Sequence, residues 1–164
     1  YEMLENAFCA VWDDLVCFPV KCRVSYEDSW MEERTYGGKR GHEGTDLMPP
    51  TNQRGFYPVF SATAGTVEHM GWLQKGGWRI GIRSEQGGYF YYAHLSEYAP
   101  GMEEGKTVEA GEMLGYMGDS GYGEEGTVGQ FAVHLHFGIY IQTADGREVS
   151  VDPYWILKGL EGEP

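Results

Sequence analysis

The sequence predicts a mostly β fold, an antiparallel β-sheet or sandwich forming a single globular domain, and three observations support this. Residues 131–141 alternate almost without a break between large apolar side chains and small or polar ones, which is the period of a β-strand. From Tyr57 onward, short strand-like runs are separated by glycines, a pattern typical of sandwiches and barrels. The chain has 25 glycines and 15% aromatic residues, and it lacks long segments of helical periodicity. Its 164 residues are enough to bury a sizeable core.

The individual elements follow in chain order. The first 25 residues carry apolar side chains at a spacing that predicts a short amphipathic helix ending before Pro19. Residues 26–55 are polar and rich in glycine and charge, so we expect a long irregular segment there. Strands are predicted at 59–64, 66–72, 78–84, 89–95, 106–108, 112–118 and 131–141. Asp145-Gly146 predicts a hairpin turn before a last strand at 148–151, and Asp152-Pro153 predicts the start of a C-terminal helix at 154–160.

Charge and cysteine content limit the functional classes. The formal charge of -13 argues against nucleic-acid binding and against direct adsorption to an anionic membrane. Cys9, Cys17 and Cys22 contain no C-x-x-C pair, which disfavours a cysteine-based zinc site. A local disulfide with one cysteine left over and three reduced, packed thiols both remain open. The chain starts at Tyr1 without an initiator Met and reads as a piece of a longer precursor, so a missing targeting segment says little about compartment.

The strand at 131–141 has two faces of different chemistry. The face opposite its apolar one carries His134 and His136, two residues apart and pointing the same way, beside the small residues Ala132 and Gly138. A polar solvent face that happens to carry two histidines is the alternative interpretation. Because the chain has only five histidines and small residues flank these two, we favour a metal or proton-transfer site. The apolar face is predicted to belong to the core: Phe131, Val133, Leu135, Phe137, Ile139 and Ile141.

Two further stretches carry candidate site residues. His42 and Asp46 lie four residues apart, but the glycine between them and the Pro-Pro pair at 49–50 make a helix improbable. In an extended segment both side chains would project to one side and could ligate a metal, whereas a loop histidine beside a turn-forming aspartate is the alternative. His94 stands at the end of the strand at 89–95, by alternation on the face of Phe90 and Tyr92. Considered alone, His94 would be interpreted as a histidine at the edge of the core. The remaining histidine, His69, is assigned no role.

Together these residues form a set suited to amide hydrolysis. Two histidines and one carboxylate would give Zn²⁺ three protein ligands and leave the fourth position for water, as in catalytic zinc sites. Zinc lowers the pKa of a water that it binds to about 7. The two remaining histidines could act as a base and as donors to a developing oxyanion.

These pieces, in this order, resemble the lysostaphin/LytM-type zinc metallopeptidases, the M23 peptidase family, over residues 41–156. His42-Glu43-Gly44-Thr45-Asp46 matches an H-x-x-x-D motif, and His134-Leu135-His136 matches H-x-H. Tyr92-Ala93-His94-Leu95 is similar to the family's Y-x-H-L segment. Residues 62–67 and 108–121 are similar to two glycine-containing segments of the family. Five motifs in register make the resemblance specific.

The resemblance implies an M23-type antiparallel fold with an open groove. It implies a peptidase domain at 41–164 and a helical or irregular extension at 1–40 packed on it. One Zn²⁺ per chain would be bound by His42, Asp46 and His136, and His94 and His134 would be the catalytic pair. The acidic loop at 121–130 would form one wall of the groove. Four aromatic residues could line it, although most of them suit ordinary sheet positions as well: Trp72, Trp78, Tyr91 and Tyr122.

Family members cleave peptide stems or cross-links of bacterial peptidoglycan. The expected function is therefore zinc-dependent endopeptidase activity on a peptidoglycan peptide, with cell-wall, division or sporulation proteins as further candidate partners. The expected location is extracytoplasmic, either secreted or anchored through a segment absent from this chain.

Two alternatives remain open. The chain could be a non-catalytic scaffold or binding module on the same fold, although the complete set of five site residues argues against this. Residues 26–40 could still fold over the groove as an inhibitory cover. It could also be a different zinc enzyme, such as a hydratase. His94 would then be a ligand and Asp46 would not, contrary to the motif match.

Overall fold

The computed structural model describes residues 14, 17–34 and 40–161. The predicted antiparallel β architecture is confirmed, with one short helix at the C-terminal end of the described part. The elements are β1 (Glu33–Arg34), β2 (Arg40–Gly41), β3 (Thr45–Leu47), β4 (Pro58–Phe60), β5 (Gly65–Leu73), β6 (Gly77–Ser84), β7 (Tyr89–Tyr98), β8 (Thr107–Val108), β9 (Met113–Met117), β10 (Leu135–Gln142), β11 (Glu148–Val151) and α1 (Tyr154–Glu161).

One sheet contains β3 to β11, and all its pairings are antiparallel. Its main path runs in the order β11-β10-β7-β6-β5-β8. β3 pairs with the first residues of β10 and β11 with its last ones, so both lie along the same side of β10. β9 pairs with the end of β7, and β4 pairs with β9. The strands β1 and β2 form a separate two-stranded ribbon.

The core lies on one face of this sheet. Alternation in β10 places Leu135, Phe137 and Ile139 in the interior with no exposed surface, as predicted. They join one hydrophobic cluster with apolar residues of the neighbouring strands and of α1: Ile80, Ile82, Phe90, Tyr92, Leu114, Met117, Ile156 and Leu157. The opposite face of β10, β7 and β6 is therefore left for polar side chains and a groove.

The C-terminal helix begins as the sequence predicts. Asp152 Oδ1 accepts a hydrogen bond from the Tyr154 amide at 3.0 Å, which is the N-cap interaction expected before a proline at the first helical position. Among the described residues, no helix has the length and apolarity needed to cross a membrane. Cys17 and Cys22 carry free thiols, whereas Cys9 and most of the predicted N-terminal helix lie outside the described residues.

Three sequence predictions of strands are corrected. A strand was expected at 59–64, but the observed strand, β4, spans only 58–60. The segment expected to be irregular contains β3, whose three residues pair with β10 through contacts distant in sequence, so no local alternation signals it. The long strand expected at 131–141 starts at Leu135. Phe131 therefore does not join the core and packs against His94, with ring centroids 4.5 Å apart.

Candidate metal and catalytic site

Residues paired across three strands bring the candidate site together. Asp46 of β3 pairs with His136 of β10, and His136 pairs with Ala93 of β7, the residue before His94. We call these four residues the metal row. His42 precedes β3 by three residues and reaches the same point from the adjoining segment. Pairing between strands that are far apart in sequence therefore assembles motifs from positions 42, 46, 94 and 136.

Three potential ligand atoms converge at one end of the metal row. His42 Nε2 lies 3.1 Å from Asp46 Oδ1 and 3.1 Å from His136 Nδ1. His136 Nδ1 lies 3.0 Å from the same carboxylate oxygen. Ligands about 2.0–2.2 Å from a tetrahedral Zn²⁺ stand roughly 3.3 Å apart, so this triangle is close to the size that zinc requires.

The far nitrogens of both ligand histidines are bonded to backbone. His42 Nδ1 lies 3.3 Å from the Ser29 carbonyl and 3.1 Å from its hydroxyl. His136 Nε2 donates to the Glu43 carbonyl at 3.1 Å. Since a carbonyl only accepts, the proton of each ring sits on the far nitrogen, and a lone pair points to the triangle. Two lone pairs and a carboxylate oxygen face one another, an arrangement that a divalent cation would stabilise.

Asp46 is held as a carboxylate at this position. Burial would raise its pKa, but when the surrounding rings are protonated, the hydrogen bonds of His136 and His42 and the charges of His136 and His134 outweigh burial and hold the pKa well below its ordinary value. A divalent cation bound here would supply that stabilising charge in place of the ring protons, and one carboxylate with two imidazole nitrogens is the donor set of a catalytic zinc site. The residues present therefore fit the metal.

Gly44 allows His42 and Asp46 to approach the same point. Its φ is +148°, and a Cβ there would lie 2.7 Å from the Phe137 carbonyl oxygen and 2.8 Å from the His136 ring. A side chain would therefore collide with β10 and with a ligand. The glycine in the H-x-x-x-D motif is required by this close approach.

A β-bulge in β7 turns His94 toward the groove. Trp78 pairs with Leu95 and Ile80 with Tyr92, so two residues of β7 oppose one residue of β6. His94 has a φ of +64°, rare for a residue other than glycine. Its side chain consequently leaves the core face of Tyr92, and the prediction that the two share a face is wrong.

Ser120 holds this bulge in place. Its hydroxyl donates to the Leu95 carbonyl at 2.7 Å and accepts from the Trp78 amide at 3.1 Å, which replaces part of the interrupted ladder. Its own carbonyl accepts from His94 Nδ1 at 2.7 Å. A single buried serine therefore stabilises both the irregular backbone and the orientation of the His94 ring.

His134 is arranged like His94. Its Nδ1 donates to the Ala132 carbonyl at 2.8 Å, and its Nε2 lies 3.7 Å from Asp46 Oδ1. The His94 and His134 rings are 4.8 Å apart. Burial lowers the pKa of both histidines, and their mutual proximity lowers that of His94 further. Each is therefore held as the neutral tautomer with Nε2 available as a base.

The five candidate site residues line a groove of about 780 Å³. Of the four aromatic candidates, Tyr91 and Tyr122 line it, whereas Trp72 and Trp78 do not. Tyr122 belongs to the loop at 121–130, so this loop does contribute to one wall. Of the segment proposed as a cover, residues 26–34 do not line the groove, and 35–39 lie outside the described residues.

Sequence reasoning missed several groove residues. Phe131 was expected in the core, and the side chains without a predicted role are Glu43, His69, Leu73, Lys75, Arg79, Arg83, Tyr89, Tyr140 and Glu148. Alternation alone would place Tyr89 and Tyr91 on the face opposite Phe90 and Tyr92, but only the sheet order shows that this face is the groove. Tyr89 and its neighbours have room because Gly81 lacks a side chain: a Cβ there would lie 1.8 Å from the Tyr89 hydroxyl.

Comparison with known proteins agrees with the geometry. The family model described as peptidase family M23 matches residues 40–153. An L-Ala--D-Glu endopeptidase from Bacillus subtilis is 44% identical over 144 residues, which is 87% of this chain and 42% of that protein. Lysostaphin from Staphylococcus simulans is 34% identical over 103 residues, or 62% of this chain and 19% of that protein. The chain thus spans less than half the length of these relatives.

Solved structures share the fold. A protein from Ruminococcus gnavus named for the glycyl-glycine endopeptidase LytM superposes with a TM-score of 0.87 at 55% identity, covering 95% of this chain and 64% of that one. The catalytic domain of lysostaphin from Staphylococcus simulans superposes with a TM-score of 0.61 at 26% identity, covering 82% and 92% of the two chains.

Proposed function

This chain belongs to peptidase family M23, and from that premise we propose that it is a zinc-dependent endopeptidase acting on bacterial peptidoglycan peptides. The observation that carries the proposal is the convergence of His42 Nε2, Asp46 Oδ1 and His136 Nδ1, with two further imidazoles beside them. A non-catalytic scaffold would have no need to keep all five side chains in this arrangement.

The metal would be held by His42, Asp46 and His136, and we propose one Zn²⁺ per chain. M23 peptidases are zinc-dependent, and zinc bound here would supply the Lewis acidity that makes water reactive toward an amide carbonyl at neutral pH. Ser29 and Glu43 would orient the two ligand rings through the backbone carbonyls described above.

We assign His94 and His134 to proton transfer. Both Nε2 atoms carry lone pairs, so the pair can take a proton from the attacking water. Once protonated, the same nitrogens can donate to the tetrahedral oxyanion or to the departing amine. Because their Nδ1 protons are fixed on the carbonyls of Ser120 and Ala132, the rings do not need to reorient during the reaction.

The bond that is cleaved has two candidates among the relatives. One relative is named for an L-Ala--D-Glu bond and another for a glycyl-glycine bond. Both are amides that the site could hydrolyse, and they differ in the charge beside the scissile bond. Since peptidoglycan lies outside the cytoplasm, we propose an extracytoplasmic location, with cell-wall, division or sporulation proteins as further candidate partners.

Metal analysis combined with a digestion tests the proposal. The purified chain, loaded with zinc, is incubated with purified peptidoglycan, and the released muropeptides are identified by mass spectrometry. We expect one zinc per chain and new peptide termini that disappear when a chelator removes the metal. Zinc binding without cleavage of any peptidoglycan would support the scaffold alternative, and a chain that binds no zinc would overturn the assignment of the ligands.

A further inference from the structure

Arg79 of β6 carries a positive charge that the described part of the chain leaves unpaired. Its Nη1 atom is buried and has no hydrogen-bond partner among the described residues. No carboxylate of those residues lies within ion-pair distance of it. Because native proteins satisfy nearly all buried polar atoms, an unpaired guanidinium nitrogen of this kind indicates a missing acceptor.

Arg83, four residues further along β6 and on the same face, shows the opposite situation. Its Nη2 lies 2.7 Å from Glu148 Oε1 and 2.8 Å from Glu68 Oε2, and its Nη1 donates to the Gly87 carbonyl at 3.0 Å. The charge of Arg83 is therefore neutralised within the protein. The chain has 25 acidic residues against 12 basic ones, yet none of the acidic residues that the structure describes pairs with Arg79 in this way.

Arg79 extends the metal row onto β6. It lies between the pairs Trp78–Leu95 and Ile80–Tyr92, directly opposite the bulge that carries His94. Neighbouring strands are about 4.8 Å apart, so the backbone of Arg79 is roughly 10 Å from that of His136, two strands away. Arg79 lines the groove together with His94 and His136. A substrate bound at the metal would therefore place its next groups within reach of this guanidinium.

Gly71 packs beside the Arg79 guanidinium. It pairs with Arg79 on β5, and a Cβ at this position would already lie 3.9 Å from Nη1. Any longer side chain would stand against the guanidinium.

We propose that Arg79 is the specificity-determining residue of the groove and binds a free carboxylate of the substrate next to the scissile amide. This inference rests on the proposed endopeptidase function. In a bond between L-Ala and D-Glu, one of the two glutamate carboxyls continues the chain and the other stays free beside the cleaved amide. A guanidinium pairs with such a carboxylate through two parallel hydrogen bonds. A glycyl-glycine bond offers no such group, so the proposal favours acidic stem peptides over glycine bridges.

Two peptides that differ only in this carboxylate test the proposal. They are acetyl-L-alanyl-γ-D-glutamyl-L-lysine amide and its analogue with D-isoglutamine, in which the free carboxylate is an uncharged amide. For the zinc-loaded chain we expect kcat/KM to be about 10- to 100-fold higher for the acidic peptide, the range of a charge-assisted hydrogen bond. Arg79→Gln should reduce that ratio to near one by slowing only the acidic peptide, and Arg79→Lys should retain part of it.

Arg147→Gln is the matched control, because it removes the same charge from an exposed residue that pairs with Asp145 outside the groove. Its ratio should equal that of the parent chain. A ratio near one in the parent chain, or an unchanged ratio in Arg79→Gln, would overturn the inference. If Arg79→Gln does not fold, as judged by circular dichroism, Arg79→Lys provides the test. A ratio below that of the parent chain would support the inference, and an unchanged ratio would overturn it.

The outcomes separate the inference from the function on which it rests. Cleavage of pentaglycine but of neither stem peptide would overturn the role of Arg79 and leave the endopeptidase standing. No cleavage of the two peptides, of pentaglycine or of peptidoglycan by the zinc-loaded chain would overturn both.

Discussion

At the scale of single residues, backbone carbonyls decide the state of each site histidine. Four rings each have one nitrogen against a carbonyl: that of Ser29, Glu43, Ser120 or Ala132. A carbonyl fixes the ring proton on that nitrogen, so the other nitrogen presents a lone pair to the groove. The sequence shows the histidines but not these carbonyls, because the carbonyls belong to residues of unremarkable identity. The sequence could therefore predict which histidines come together, but not their tautomers.

The division between ligands and catalytic residues predicts a selective effect at His134. Replacing His134 with Ala should lower kcat on peptidoglycan by about 10²- to 10⁴-fold while zinc remains bound, because the three ligand atoms are untouched. His69→Ala is the control: it removes an imidazole at the rim that bonds to Tyr89, and its kcat should stay within a few-fold of the parent chain. An unchanged rate in His134→Ala would contradict the proposed proton transfer.

Asp46 should be needed for metal affinity through its charge. Asp46→Asn keeps the side chain's shape but replaces the ionised oxygen with a neutral amide, so we expect zinc affinity to fall by on the order of 100-fold or more. Titration against a zinc-sensitive chelator measures the change. An affinity for zinc equal to that of the parent chain in both Asp46→Asn and His136→Ala would show that the ligands have been assigned wrongly.

At the scale of secondary structure, strict alternation predicts the sheet well except where the site interrupts it. In β10 the period of two correctly separates the core residues from His136. In β7 the same rule fails at His94, because the bulge adds one residue and moves its side chain to the other face. Nothing in Tyr92-Ala93-His94-Leu95 signals a bulge by composition. Its cause is the hydrogen bonding of Ser120, which is 26 residues away along the chain from His94.

Ser120 should accordingly contribute to stability and activity together. Ser120→Ala removes two buried hydrogen bonds, so the free energy of unfolding should fall by about 1–3 kcal/mol, as measured by urea denaturation. We also expect a lower kcat, since the bulge that orients His94 loses its support. Ser96→Ala is the control, because its hydroxyl makes a single long bond of 3.4 Å and lies nearer the surface. Equal stability of both variants would argue against this role of Ser120.

At the scale of the whole molecule, metal binding should stabilise one edge of the sheet against unfolding. The proposed ligands come from β3, from the segment before it and from β10, and β3 itself is only three residues long. Zinc would therefore join a short edge strand and its preceding loop to the central strand. Binding energy that exists only in the folded state adds to the free energy of unfolding.

Thermal unfolding of the chain should consequently depend on zinc concentration. At free zinc of about 100 times its Kd, the folded state should gain about 2.7 kcal/mol, which for a domain of this size raises Tm by roughly 5–10 °C. Calorimetry with and without chelator measures the shift. This dependence of Tm on zinc should be lost in Asp46→Asn. A parent chain whose Tm does not change with zinc concentration would contradict the proposed site.

The arrangement of side chains in successive rows has a consequence for engineering. Next to the metal row runs a second row formed by Gly138, Tyr91, Gly81 and His69, which contributes groove lining without any of the proposed ligands. This second row also lacks Arg79, the residue to which we assign specificity. A combinatorial library confined to the second row could therefore vary the groove lining while the proposed ligands, the proposed catalytic pair and Arg79 stay constant.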